Sequence, residues 1–335
     1  MRLNAPIPTS PLRASPRAGR TRRLAATLLS VGVGITAMAA STSGAATSRV
    51  ARGISTPAPV CQKVTVAKTT CATWSVRDTW AGHGPVVALL DFHPQGQPAG
   101  VVAYAGWIRT AATILGLYPG YEGPGVTTRP RGPEAVPSSG IGRLLATFNS
   151  GFYEHDAAAG FYTNHTLYFP MVKGLATVVR YTNGTVGITQ WAGGPNPGPT
   201  VLMARQNLPL LVDHSVATPA TANDFAWGLT LYGAPAVWRS ALGIDTNGNL
   251  IYAAAPAQTA ASMASIMVQL HSVRAMELDI NPEWPIFVTY AGPGARNPSL
   301  DVANPNQIPN RFLYSSTKDF FAVFLSRHPG EAQPW

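Results

Sequence analysis

Beyond about residue 60 the chain alternates short apolar runs with clusters of glycine, proline and asparagine, a rhythm of strands and turns more than of long helices. Gly84–Phe92, with Val86-Val87-Ala88-Leu89-Leu90 apolar throughout, and 100–107 are predicted as buried strands. A further apolar run, 144–148, ends at Asn149-Ser150-Gly151-Phe152-Tyr153. Segments 176–181 and 185–191 flank Asn183-Gly184, and Asn-Gly tolerates the positive φ angles of a tight hairpin turn. A second hairpin follows the same logic, 240–245 and 250–253 about Asn247-Gly248. At Thr259 the period changes. Thr259 can cap a helix on which Met263, Ile266, Met267 and Leu270 recur at i, i+3, i+4 and i+7. Strand patterns return at 275–280 and 285–290, and a last apolar run spans 319–325. Two Pro/Gly-rich stretches, 118–140 and 192–200, read as loops, the first long enough to serve as a functional cover. No internal repeat is visible. Neighbouring strands with few helices predict an α+β fold: a mixed, mainly antiparallel sheet or sheets, a few packing helices and many loops.

The first 45 residues follow a different plan. Arg2, Arg13, Arg17, Arg20, Arg22 and Arg23 precede an apolar stretch, 24–40, which gives way to small residues including Ala37-Met38-Ala39 and Ser43-Gly44-Ala45. A basic region, an apolar region and a small-residue exit make a removable secretory signal over 1–45, and Arg22-Arg23 hints at the twin-arginine route. The rival is an uncleaved anchor, but Gly32, Gly34 and Thr36 interrupt a stretch already at the short end for a membrane span. Residues 46–75 read as a linker and N-terminal arm, and 76–335 as the working domain. The net charge of +9 comes largely from the leader; without it 18 basic residues face 15 acidic ones, a balance of +3. That balance, with no basic stripe carrying interleaved aromatics, argues against a nucleic-acid partner. A hydrophobic fraction of 46% supplies a core, and charge at 12% is too sparse for a disordered chain. Cys61 and Cys71 are the only cysteines, and two cysteines in an exported chain are expected to pair. The expectation is an exported protein, extracellular or at the cell envelope, with no permanent membrane span after cleavage.

The most informative chemical pattern is 277–283. Glu277, Asp279, Asn281 and Glu283 alternate with Leu278, Ile280, Pro282 and Trp284, so in a strand the oxygen-bearing side chains share one face. Two carboxylates so placed could divide general acid and base work, or bind a hard divalent cation, or simply form the solvated face of a half-buried strand. Asn149-Ser150-Gly151 ends a strand and offers backbone N–H groups to an oxyanion or phosphate; its other reading is an ordinary turn. Arg239 leads into a strand and could grip phosphate bidentately, or be a surface charge. No metal-ligand spacing, Walker loop or dinucleotide fingerprint is present. No cofactor is expected, although a divalent cation remains compatible with the acids.

In order and spacing, these segments resemble the phosphodiester glycosidase family over residues 84–290. The family's strand into N-G-G-F is matched by Thr147-Phe148-Asn149-Ser150-Gly151-Phe152. Its R-[TS]-A-[IL]-G motif with an acidic turn is matched by Arg239-Ser240-Ala241-Leu242-Gly243-Ile244-Asp245. Its strand into L-D-G-G-G-S is matched by Leu278-Asp279 alone, since Ile280-Asn281-Pro282-Glu283 replaces the glycines. The Ala-rich, Arg-over-Lys composition suits an actinobacterial exported member. The resemblance implies hydrolysis of a sugar-1-phosphodiester. Asp279 would be base or nucleophile and Glu277 its helper. Arg239 and the N–H groups around Gly151 would sit on the phosphoryl oxygens. Asn149, Phe152, Ser240, Asn281 and Glu283 would line the substrate, and the 118–140 loop would cover it. The alternative is a protein of the same fold that binds cell-envelope glycan without cleaving it, using some of the eight tryptophans and eleven tyrosines.

Overall fold

The computed structural model describes residues 56–65, 68–80, 84–125, 131–228, 233–291 and 294–335. The leader and the start of the linker lie outside the described residues. The described chain is dominated by strands. An eight-stranded sheet runs, edge to edge, Val216–Ala217, Leu210–Asp213, Arg274–Glu277, Val237–Ile244, Leu250–Gln258, Ala103–Ile108, Gly84–Phe92 and Ser75–Trp80. A five-stranded sheet orders Pro298–Leu300, Phe287–Tyr290, Leu144–Asn149, Phe320–Leu325 and Thr113–Tyr118. A second five-stranded sheet orders Val186–Gln190, Ala176–Tyr181, Val201–Gln206, Phe161–Thr163 and Thr166–Phe169. Every ladder described within these sheets is antiparallel.

The α+β expectation is therefore corrected to a β-rich fold built of antiparallel sheets. Among the described residues there are three α-helices, and two of them, Ser138–Ile141 and Glu154–Ala157, are single turns of four residues. The third is the helix foreseen at Thr259. It spans Ala260–Gln269, and Thr259 accepts from Ser262 N while Ser262 Oγ accepts from Thr259 N, a reciprocal cap that satisfies two otherwise unpaired donors. The strands that tipped the balance were the inconspicuous ones. Phe161–Thr163, Thr166–Phe169 and Leu210–Asp213 are only three or four residues long, too short to show a period.

Both Asn-Gly hairpins form as expected, pairing Ala176–Tyr181 with Val186–Gln190 and Val237–Ile244 with Leu250–Gln258. All three large sheets contribute to one apolar core, with Leu89, Phe148, Phe161, Val178, Tyr252, Phe287 and Phe321 among its buried members. Phe148 is its aromatic hub, with ring centroids of Phe321, Tyr252 and Phe287 at 5.1, 5.4 and 5.7 Å. Helix Ala260–Gln269 covers the opposite face of the eight-stranded sheet with Met263, Ile266 and Met267, which are core residues. Cys61 and Cys71 are joined in a disulfide across a two-stranded ribbon, Val60–Thr65 with Lys68–Ala72. A disulfide suits an oxidising compartment. Among the described residues no helix is long and apolar enough to cross a membrane.

Candidate functional site

Three segments far apart in sequence meet where the eight-stranded sheet faces the sheet containing Leu144–Asn149. The link is a chain of buried hydrogen bonds. Asn149 Nδ2 donates to Ser240 Oγ at 2.9 Å, and Ser240 Oγ donates to the Asp279 carbonyl at 2.7 Å. Asp279 N donates to Ser150 O at 3.0 Å, and Leu278 N to Ser240 O at 2.8 Å. Asn149 Oδ1 accepts from Tyr252 Oη and Ile286 N, at 3.0 and 3.1 Å. Asn149 and Ser240 are buried with these bonds satisfied, so they act here as internal ties between strands.

The 277–283 segment departs from the strand expected of it. The strand ends at Glu277, and 281–284 is a turn. Asp279 Oδ1 accepts from Asn281 N at 3.0 Å, and Asn281 Oδ1 accepts from Glu283 N at 3.1 Å. These side-chain-to-backbone bonds offer the chain an alternative to the ladder, and Pro282 cannot donate to a ladder. The four oxygen-bearing side chains therefore do not form one row. Glu277 is fully buried, Asp279 keeps 4% exposure, Asn281 is partly exposed and Glu283 is exposed.

Two buried arginines belong to the same network, each with its own acid. Arg239 pairs with Glu277 Oε1 at 2.5 Å, and donates to Gln258 O and Trp227 O, both at 2.9 Å, and to Pro235 O at 3.2 Å. With no exposed surface and its nitrogens directed inward, Arg239 meets the protein where a phosphate grip was expected. Arg205, which the sequence did not single out, pairs with Asp319 Oδ2 at 3.0 Å and donates to Ser150 Oγ, Gln206 O and Phe152 O. Gly151 fits closely beneath Arg205: a Cβ there would stand 3.2 Å from the guanidinium carbon. Phe152 is buried against Val237 and Ile280, so it packs more than it lines an opening.

Asp279 itself pairs with Lys318, Nζ to Oδ2 at 2.8 Å. Lys318 Nζ also lies 3.5 Å from the centroid of the Tyr153 ring and 5.9 Å from that of Trp284, within reach of a cation–π interaction. Burial pushes the Asp279 carboxyl above its usual range, and Lys318 and the Asn281 amide oppose that rise. Burial also pushes Glu277 up, to about 8, against the pull of Arg239. Burial also raises Tyr153, helped by the nearby Glu122, Asp319 and Asp279. Glu277 Oε2 and Asp319 Oδ1 are buried without a hydrogen-bond partner among the described residues.

The described start of the 118–140 loop approaches this site. Tyr121 N donates to Ser316 O, and Glu122 N and Gly123 N to Thr317 O, so 121–123 is fastened to the residues just before Lys318. Gly123 makes that approach possible, because a Cβ would stand 2.8 Å from Asp319 N. Residues 126–130 of the loop lie outside the described residues. Sequence reasoning missed Arg205, Lys318 and Asp319. Lys318 and Asp319 sit at the mouth of the last apolar strand, where two charges look like an ordinary solvated start. The one available sign of Arg205 was an arginine set among Val201, Met203 and Ala204. Among the described residues no group of three or more His, Cys, Asp or Glu is placed to hold a metal ion.

No protein-family profile matches the chain, and no curated protein matches it by sequence. Among solved structures it is similar to the zebrafish N-acetylglucosamine-1-phosphodiester alpha-N-acetylglucosaminidase catalytic domain, auto-inhibited by its pro-peptide. That match has 13% identity, covers 76% of this chain and 88% of that one, and has a TM-score of 0.49. A hypothetical protein from Synechocystis matches at 13% identity over 72% of this chain and 62% of its own, with a TM-score of 0.39. A protein of Burkholderia pseudomallei described as exported matches at 12% identity over 69% and 75%, with a TM-score of 0.31. These are distant likenesses of fold, and none bears on an actinobacterial source.

Proposed function

We propose that the chain is an exported hydrolase that cleaves a sugar-1-phosphodiester, with Asp279 as its reactive carboxylate. The observation that carries this reading is the meeting of Asn149, Ser240 and Asp279, one from each resembling motif, in a single hydrogen-bonded cluster. Motifs that matched by accident would have no reason to converge. Asp279, with its residual exposure, is the acid a substrate can reach; Glu277, with none, holds Arg239 beneath it. In the reaction the bond from the sugar C1 to the phosphate oxygen breaks, and a water oxygen forms the new bond to C1. One water proton passes to Asp279, and the phosphomonoester leaves with the bonding electrons. Electrostatic neutralisation of the phosphate then carries much of the rate. Export rests on the 1–45 leader pattern and agrees with the Cys61–Cys71 disulfide.

A second reading, a non-hydrolytic glycan-binding protein, draws on one observation: both oxygens of Asp279 already have partners, Lys318 on Oδ2 and Asn281 N on Oδ1. Turnover separates the two. Purified chain lacking the leader should release free sugar from a panel of sugar-1-phosphodiesters, and release should vanish in Asp279→Asn. A folded protein that binds glycans and releases nothing from any substrate sinks the hydrolase reading.

A further inference from the structure

A phosphodiester brings a negative charge, and a cation with free, accessible donors must meet it. The cations around Asp279 can be taken in turn. Arg239 and Arg205 are fully buried, each is paired with an acid, and their donors point into the protein. Lys318 is 1% exposed and bound to Asp279. Arg311 differs from all three. It is half-buried, and no described carboxylate lies within ion-pair distance of it. Its Nη1 donates to Gln307 Oε1 at 3.1 Å and reaches Glu283 O at 3.5 Å, while Nε and Nη2 make no hydrogen bond to a described residue.

The guanidinium is also held in place. Its carbon lies 4.7 Å from the Trp284 ring centroid, and Lys318 Nζ, the partner of Asp279, lies 5.9 Å from the same centroid. Stacking on a ring face leaves the edge of the guanidinium fork free for two parallel bonds to a tetrahedral anion. Partial burial strengthens such bonds by lowering the surrounding dielectric. The group already competing for that charge is Glu283, exposed and close enough to act on Arg311; Tyr153 and Tyr121 also face it.

The geometry points to Arg311, oriented by Trp284, as the receiver of the ligand's phosphoryl group, the role expected of Arg239. The ligand class is a phosphate monoester or diester anion whose attached sugar extends past Trp284 toward Asp279. The choice of a sugar phosphodiester rests on the hydrolase reading above; capture of the anion by Arg311 does not. Glu283, at the rim, then acts as a resident competitor that weakens anion binding.

The test is titration of the leader-free chain with inorganic phosphate and with dimethyl phosphate, followed by calorimetry. Arg311→Gln is expected to weaken binding about tenfold or more, the loss of one charge-assisted bidentate contact. Arg311→Lys should recover part of it. Glu283→Gln, a surface change that leaves the fold intact, should tighten it. No phosphate binding by the wild-type chain, equal affinity in Arg311→Gln, or no gain in Glu283→Gln would each overturn the assignment. Turnover on sugar-1-phosphodiesters is measured in parallel. Cleavage with an unchanged KM in Arg311→Gln would reject Arg311 while keeping the hydrolase. Arg311-dependent anion binding with no cleavage of any substrate would keep Arg311 while rejecting the hydrolase.

Discussion

Lys318 Nζ stands 2.8 Å from Asp279 Oδ2, almost sealed from solvent, and makes no other hydrogen bond to a described residue. Burial favours the neutral form of Asp279, and the lysine favours the charged one. On the proposed hydrolase reading Asp279 must be ionised to accept a proton, so Lys318 would set how far down in pH the site works.

Lys318→Gln should therefore raise the Asp279 pKa and move the acid limb of the pH–rate profile to higher pH. A pH–kcat/KM series on wild type and variant checks it. A lysine with a merely structural role would lower the whole profile without moving its limb.

Asp279→Asn keeps the size of the side chain while removing the carboxylate proposed as the base. Sugar release should fall by about 10²- to 10⁴-fold, the usual worth of general-base assistance. Its melting temperature should fall, because Lys318 is left buried without its acid, so the kinetics are read well below the melt, where the variant is folded. Steady-state kinetics and a thermal melt together decide it.

The parts of the fold legible in the sequence were those with a local cause. The Asn-Gly turns set both hairpins, and the period of Met263, Ile266, Met267 and Leu270 with the Thr259 cap set the one long helix. The class was misjudged because strands as short as Phe161–Thr163 obtain their stability from neighbours in the sheet, which a single segment cannot reveal. The site divides along the same line. Asn149, Ser240 and Asp279 were visible as motifs, and they do meet. Their partners were not visible. Arg239 was read as a ligand grip because an arginine beside a strand shows its charge but not the buried Glu277 opposite it. Lys318 lies 39 positions beyond Asp279 along the chain, a separation that no local pattern spans.

Phe148 links the motif segment to the core. It is fully buried and stacks near Phe321, Tyr252 and Phe287. Phe148→Ala removes a ring on which three others rest and leaves a cavity between the sheets. Destabilisation of about 3–5 kcal/mol is expected, readable as a lower urea midpoint with little change in slope. A loss below about 1 kcal/mol would mean that the neighbouring rings collapse into the gap.

Glu277 supplies the last prediction, and its sign follows from burial. The folded state raises the carboxyl from 4.5 to about 8, with burial the first cause and Arg239 opposing it. Between those values the folded chain holds a proton that the unfolded chain has released. Stability contributed by Glu277 is then present in full below pH 4.5 and is lost as pH rises toward 8. Glu277→Gln places a permanently neutral group at the same position, still able to accept from Arg239 through its amide oxygen. The variant should show a flatter dependence of urea stability on pH across that window than wild type does. An equal slope in both proteins would mean that Arg239 overcomes burial and keeps Glu277 ionised throughout. The pair would then be a permanent buried salt bridge, and its strain would appear in Arg239→Met with Glu277→Gln, a double variant expected to be no less stable than either single one.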